Sequence, residues 1–215
     1  MSSCLVIGST GLVGKHLVKE LQFSNDFDLI YVLVRKKHFT NTKKLREIVF
    51  DFTDKEGFKV LAPVNHVFCC LGTTIKKAGS KKNFQYVDYA LPVSFAKWAE
   101  QKKSISYSIV TALGADTSSK IFYNQVKGDV ENKIKSFNIP KIQIFQPSLI
   151  LGKRKEFRFG ELIVKALFRF FSPLFFGPFR KYRGIEAEAI ARGMVNHLKN
   201  SQNGTRVFES HLIDI

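Results

Sequence analysis

Acidic residues are scarce. The chain of 215 residues has 18 Asp+Glu against 34 Lys+Arg, a formal net charge of +16. That imbalance favours anionic partners: a phosphorylated cofactor, nucleic acid or an acidic membrane surface. A lysine-rich surface that only aids solubility is the plainer alternative. Cysteine is scarcer still. Cys4, Cys69 and Cys70 are odd in number, lie in apolar strand-like runs and form no C-x-x-C. This argues against a disulfide framework or a zinc site, and for buried thiols in a reducing compartment. The histidines, at 16, 38, 66, 197 and 211, show no ligand spacing, so no structural metal is expected. No run approaches the roughly 18 uninterrupted apolar residues of a membrane span. "CLVIG" is short and lacks a basic leader, so a cytoplasmic setting is expected. Repeats and low-complexity tracts are also missing.

What is present is an alternation of strand and helix patterns in a chain that is 45% apolar. "CLVIG" (4–8) is a short β-rich run, followed by a helical face of Leu12, Val13, Leu17, Val18 and Leu21. "LIYVLV" (29–34) is apolar throughout, as a strand covered on both faces must be. "EIVFDF" (47–52), "HVFCCLG" (66–72), "ISYSIVT" (105–111) and part of "IPKIQIFQPSLILG" (139–152) read as further strands. Helices are expected over roughly 85–102, 120–137 and 185–199, and "TRVFES" (205–210) reads as a closing strand. The order implies an α/β fold: an open, doubly wound parallel sheet of Rossmann type. Composition shifts after Gly152, so the chain reads as one nucleotide-binding domain over 1–215, with 153–215 as a small C-terminal substrate-covering region.

The first strand runs into "GSTGLVG". A strand feeding a glycine turn and then a helix is the dinucleotide-binding arrangement. Gly8 permits the tight turn, Gly11 removes a side chain where a pyrophosphate approaches, and Gly14 lets helix and strand pack closely. The helix N-terminus, at Leu12 and Val13, offers free N–H donors and a partial positive charge. Ser9 and Thr10 add hydroxyls. The second strand ends in "LVRKKHF", with no acid to bind a ribose 2′-OH. Arg35, with Lys36 beside it, suits a 2′-phosphate instead, so the expected cofactor is NADP(H). Asp51, ending the third strand, is placed to accept from the adenine amino group, with Phe52 beside it. Leu71, Gly72 and Thr73 in "CCLGTT" end the fourth strand beside the cofactor.

"YNQVK" places Tyr123 and Lys127 on one helix face. The pair follows the strand "ISYSIVT", whose C-terminal end should open onto the cofactor crevice. A lysine ammonium beside a phenol favours the phenolate, which suits Tyr123 to general acid/base work on a carbonyl or alcohol. Lys127 is also placed to bind the nicotinamide ribose.

These stretches resemble the short-chain dehydrogenase/reductase superfamily. More narrowly, the chain resembles the atypical NAD(P)-binding group that includes the HIV Tat-interacting oxidoreductase-like proteins. The similarity runs through "GSTGLVGKHLVKEL", "VLVRK", "VFCCLGTT", "GADTSSKIFYNQVKGDVE", "QPSLILG" and "KYRGIEAEAIARGM", covering nearly the whole chain. The resemblance implies a Ser-Tyr-Lys constellation in which a serine orients the substrate carbonyl. The matching strand end reads "VTALGAD", with Thr111 or Ala112 at the serine position. Thr111 keeps a hydroxyl and Ala112 does not; Ser108 is the alternative hydroxyl. Pro147 and Ser148 match a loop bordering the nicotinamide, and the residues after the sixth strand match a substrate cover.

The stretch 157–183 interleaves Phe157, Phe159, Phe168, Phe170, Phe171, Phe175, Phe176 and Phe179 with arginines and lysines, and Pro173 and Pro178 interrupt it. The preferred reading is an apolar wall of the substrate pocket. The alternative is an exposed apolar patch beside a basic rim, suited to a protein partner or an anionic membrane surface. The reading as a whole is a reductase acting on an unidentified carbonyl or alcohol. An NADPH-binding regulatory or protein-interaction module with little turnover, alone or as a homo-oligomer, is the alternative. Specific nucleic-acid binding is not expected, because no dedicated motif accompanies the charge.

Overall fold

The computed structural model describes residues 2–54, 56–152, 181–200 and 202–214. The expectations for Phe157 to Phe179 lie outside the described residues. In chain order the elements are β1 (Ser3–Ile7), α1 (Leu12–Phe23), β2 (Leu29–Val34), β3 (Leu45–Val49), α2 (Gly57–Val60) and β4 (His66–Cys69). Then follow α3 (Ile75–Ala78), α4 (Lys81–Gln85), a π-helical turn (Tyr86–Ala90), α5 (Leu91–Gln101), β5 (Ser106–Val110) and α6 (Phe122–Lys135). The chain continues through β6 (Lys141–Gln146), β7 (Ile150–Leu151), β8 (Ile185–Glu186), α7 (Ala187–Asn200), β9 (Gly204–Glu209) and a closing 3-10 turn (Ser210–Leu212).

Seven strands form one sheet in the order β3-β2-β1-β4-β5-β6-β9, every pair parallel. The doubly wound sheet expected from the strand–helix alternation is thus present. Alternate residues of a strand face opposite sides. In β1, Cys4 and Val6 join a core with α1 and α7, while Leu5 and Ile7 join a second core with α5 and α6. Leu17 and Leu21 of α1 are fully buried, each stabilising the fold by about 1.5–3 kcal/mol. The strand order reverses between β1 and β4, and the C-terminal strand ends there frame the crevice of this fold.

The structure moves one strand end. The third strand ends at Val49 and not at Phe52, because Asp51 turns the chain: its carboxylate accepts from the Thr53 N–H at 2.9 Å and hydroxyl at 2.7 Å. The described part of the C-terminal region is built into the main body, and the expected substrate cover over 153–180 lies outside the described residues. Ile190, Ala191, Met194 and Leu198 of α7 are buried in the core shared with α1, and β9 extends the sheet beyond β6. The amphipathic spacing of 185–199 reads equally well as cap or layer; the α1 face decides it.

His66 opens β4 at the far end of the sheet from the crevice. Its Nδ1 lies 2.9 Å from the Ser106 hydroxyl, and its ring packs edge-on against Phe27. Burial, with Lys141 adding repulsion, pushes its pKa down to about 4 from 6.5. Stability linked to this group is therefore full above about 6.5 and is lost as pH falls toward 4, since the unfolded chain takes up the proton first. Thermal melts between pH 7.5 and 4.5 should show a fall in Tm that is shallower in His66→Asn. Parallel slopes for the two proteins would refute this account.

Candidate active site

The glycine turn is shaped by contacts that only glycine permits. Gly8 has φ +79°, and a Cβ there would lie 2.6 Å from the carbonyl of Cys70. A Cβ on Gly14 would sit 2.2 Å from the Gly8 carbonyl oxygen, so α1 packs directly on the turn. The turn closes through Gly11 N–H to the Gly8 carbonyl at 3.0 Å. Gly11 is the N-cap of α1 and provides no side-chain cap, and the first turn contains no acid. The first-turn amides, including those of Leu12 and Val13, therefore lack intrahelical acceptors and face an uncapped, electropositive end. This cradle fits a pyrophosphate. Thr10 and Gly11 are exposed there. Ser9 is a correction: it is fully buried, with its hydroxyl 3.5 Å from the Leu33 carbonyl under the turn, so it offers no hydroxyl to the crevice.

Arg35 and Lys36 are exposed directly after β2, next to this turn. Asp51 is also exposed, with its carboxylate engaged by Thr53 and held below its usual range by those hydrogen bonds. Phe52 packs edge-on to Phe50 at 5.1 Å, and its carbonyl accepts from Tyr86 Oη at 2.6 Å. On the β4 side, Leu71 is half-buried and Gly72 exposed, and a Cβ on Gly72 would approach only Asp88 Oδ1, at 3.8 Å. Pro147 is buried, and its carbonyl accepts from Leu113 N–H at 2.9 Å, joining the loops after β5 and β6. Ser148 is bonded to Ser210 at 3.1 Å.

Tyr123 lies in the first turn of α6 and Lys127 one turn on, with Nζ 5.9 Å from the Tyr123 ring centroid. The Tyr123 ring packs 5.6 Å from Phe84 of α4. Gly128 explains how the helix gets there: its Cβ would lie 2.3 Å from the backbone of Asp116, so α6 presses against the loop after β5. Lys127 is buried, 4% exposed, and pairs with Asp88 Oδ1 at 2.8 Å. Burial pulls its pKa down, but the carboxylate of Asp88, with Tyr123 adding to it, holds the lysine above its ordinary value. Thr111 donates its hydroxyl to Glu131 Oε1 at 2.6 Å, and Gln146 Nε2 grips both Glu131 oxygens at 3.0 and 2.9 Å. Burial raises the Glu131 pKa despite these bonds. Ser108 is corrected as the alternative hydroxyl. It is fully buried within β5 and bonded to Gln143 Oε1 at 2.9 Å.

Asp88, Glu131 and Gln146 are absent from the sequence reading. A signal for Asp88 exists: it is the one carboxylate on the buried helical stripe Phe84, Asp88, Leu91, Phe95.

A parallel sheet in this order, a glycine turn at the β1–α1 junction and a tyrosine and lysine on one face of the helix after β5 define a doubly wound α/β protein of Rossmann fold. Solved structures agree on the fold. A short-chain dehydrogenase/reductase superfamily protein from Agrobacterium tumefaciens with bound NAD superposes with TM-score 0.72 at 12% identity, over 96% of this chain and 76% of that one. MoeE5 in complex with UDP-glucuronic acid and NAD gives 0.70 at 14% identity, over 96% and 75%. No family model matches the chain. Among curated proteins, HTATIP2 of Rattus norvegicus is 30% identical over 206 residues, 94% of this chain and 83% of its own length. FMP52 of Eremothecium gossypii, a mitochondrial protein by name, is 32% identical over 158 residues, 74% and 70%. The chain belongs to the family of HTATIP2 and FMP52. These relatives also correct the cytoplasmic expectation: several FMP52 proteins are named mitochondrial, which points to mitochondria. The cysteine count indicates only a reducing interior, and a mitochondrial matrix meets that condition as well as cytosol does.

Proposed function

We propose that this protein is an NADP-dependent oxidoreductase acting on a carbonyl or alcohol. The observation that carries the reading is the buried Lys127 beside Tyr123, on the side of the sheet where the glycine turn opens. The amides of Leu12 and Val13 hold the pyrophosphate, with Gly11 leaving room for it to approach, and Arg35 with Lys36 binds the 2′-phosphate. Phe52, Gly72, Thr73 and Pro147 border the dinucleotide. A bound nicotinamide supplies or accepts the hydride. Tyr123 Oη donates a proton to the substrate oxygen in reduction and withdraws it in oxidation. Lys127 stands beside the Tyr123 ring and donates to the ribose. Thr111 supports the strand end where the substrate oxygen sits, through its link to Glu131. A non-catalytic NADPH-binding role is favoured by the same observation about Thr111, whose only proton is already given to Glu131.

Cofactor choice is tested by calorimetric titration of NADPH and NADH. Arg35 should favour NADPH, and Arg35→Ala should weaken NADPH by about tenfold or more with little effect on NADH, the loss of a charge-assisted hydrogen bond. Equal affinities for the two nucleotides in the unmutated protein would overturn the NADP assignment. A screen of aldehydes, ketones and quinones for NADPH consumption tests turnover.

A further inference from the structure

The stretch 35–46 contains Arg35, Lys36, Lys37, Lys43, Lys44 and Arg46 and no acid. A run of like charges repels itself and favours an open, extended path. The path observed is closed. Val34, the last residue of β2, lies opposite Val49 of β3, and Val32 lies opposite Glu47. Glu47 is the first acid after the basic run, and its side chain reaches back to the loop. A single carboxylate oxygen, Oε2, accepts from the His38 N–H at 2.7 Å and from the Phe39 N–H at 2.6 Å. The chain thus leaves β2 opposite Val49 and is back within hydrogen-bond reach of Glu47 by His38. Arg35, Lys36 and Lys37 make the bend, and all three are exposed. Two further contacts hold it. The Asn41 side-chain oxygen accepts from the Glu47 N–H at 2.6 Å, and half-buried Phe39 packs on the core that α1 shares with the sheet.

Both donors to Glu47 are backbone groups, so these bonds fix the path of the loop and leave its side chains to the solvent side. Resting on the NADP reading above, we propose that Glu47 is a positioning residue for recognition of the 2′-phosphate. Its carboxylate pre-forms the bend that presents Arg35, Lys36 and Lys37 beside the glycine turn. A loop ordered only on binding lowers affinity by the entropy it loses; this one is ordered before the nucleotide arrives. By charge alone, an acid at this place would weaken NADPH binding, because it repels the 2′-phosphate. Its two hydrogen bonds act in the opposite direction, and charge-assisted bonds are the stronger kind. Charge and geometry therefore predict opposite effects of removing Glu47.

Glu47→Ala removes both bonds. Glu47→Gln keeps an oxygen that accepts from both N–H groups and removes the charge. Calorimetric titration of the full chain should show NADPH bound about tenfold more weakly by Glu47→Ala, with NADH within about twofold of the parent. Glu47→Gln should bind NADPH as the parent does or more tightly, since the bend stays and the repulsion goes. Tighter NADPH binding by both variants would mean that Glu47 acts through charge only, and overturns the positioning role. Unchanged NADPH binding in Glu47→Ala overturns it too, as does an equal loss for NADPH and NADH, which reports general damage to the fold. Amide hydrogen exchange tests the bend without any nucleotide. The His38 and Phe39 amides should be protected in the parent and in Glu47→Gln, and should exchange about tenfold or more faster in Glu47→Ala. Exchange at one rate in all three proteins overturns the bend and the role with it. A parent that binds NADPH and NADH alike overturns the cofactor reading and the role built on it, while protected His38 and Phe39 amides in that parent leave the bend standing.

Discussion

Gly14→Ala should lose both stability and dinucleotide binding. The added methyl would sit 2.2 Å from the Gly8 carbonyl oxygen and 2.8 Å from Ser9 Cα, both backbone atoms that no rotamer change can move. Either α1 lifts off the sheet or the turn shifts. Lifting α1 disturbs Leu17 and Leu21, which are fully buried against α7 and the sheet. Overpacking of this kind costs about 1–3 kcal/mol, which in a domain of this size lowers Tm by roughly 2–4 °C per kcal/mol. Shifting the turn misaligns the amides of Leu12 and Val13, so NADPH affinity should fall with stability. Gly72→Ala is the contrasting case. Its methyl would meet only Asp88 Oδ1, at 3.8 Å, so Tm should change by no more than the equivalent of about 0.5 kcal/mol. Any loss of NADPH binding in Gly72→Ala then reports close approach of the nucleotide, not damage to the fold. A Gly14→Ala protein that melts like the parent would show that α1 does not rest on the turn as described.

The glycine turn was legible in sequence because each glycine marks a steric condition: the Gly8 and Gly14 contacts are backbone against backbone. The sheet was legible because strands covered on both faces must be apolar throughout, and "LIYVLV" is. Tyr123 and Lys127 share a face because helical spacing compels it. The misses have a different origin. Ser9 reads as a phosphate donor in any glycine-rich turn, but whether its hydroxyl points out or under depends on β2, whose Leu33 carbonyl it approaches. Asp51 reads as a strand end, yet its own turn-forming bonds to Thr53 end the strand earlier. The Asp88–Lys127 pair joins helices separated by a strand in the chain, and nothing local marks it except an acid on an apolar stripe followed by a proline. Thr111 illustrates the same limit. Its hydroxyl was visible, but the carboxylate that claims it comes from a helix twenty residues on.

Tyr123→Phe is expected to lower the turnover of any accepted carbonyl substrate by about 10²–10⁴-fold, the usual contribution of a positioned acid. NADPH binding should stay within about twofold of the parent. The substitution is clean because it removes one oxygen and keeps the ring, which packs on Phe84 and lies 5.9 Å from Lys127 Nζ. Substitution of Lys127 is not clean. Lys127→Ala would leave Asp88, 1% exposed, with no cation beside it, and breaking a buried pair costs about 3–5 kcal/mol. Its effects on turnover and binding would therefore be mixed with unfolding, whereas Tyr123→Phe isolates the proton. Tm, NADPH affinity and turnover measured on the same samples separate the cases. Turnover retained in Tyr123→Phe means that another group carries the proton. Should the parent consume no NADPH with any aldehyde, ketone or quinone while binding it normally, the protein is an NADPH-binding module, with Tyr123 and Lys127 serving nucleotide binding alone.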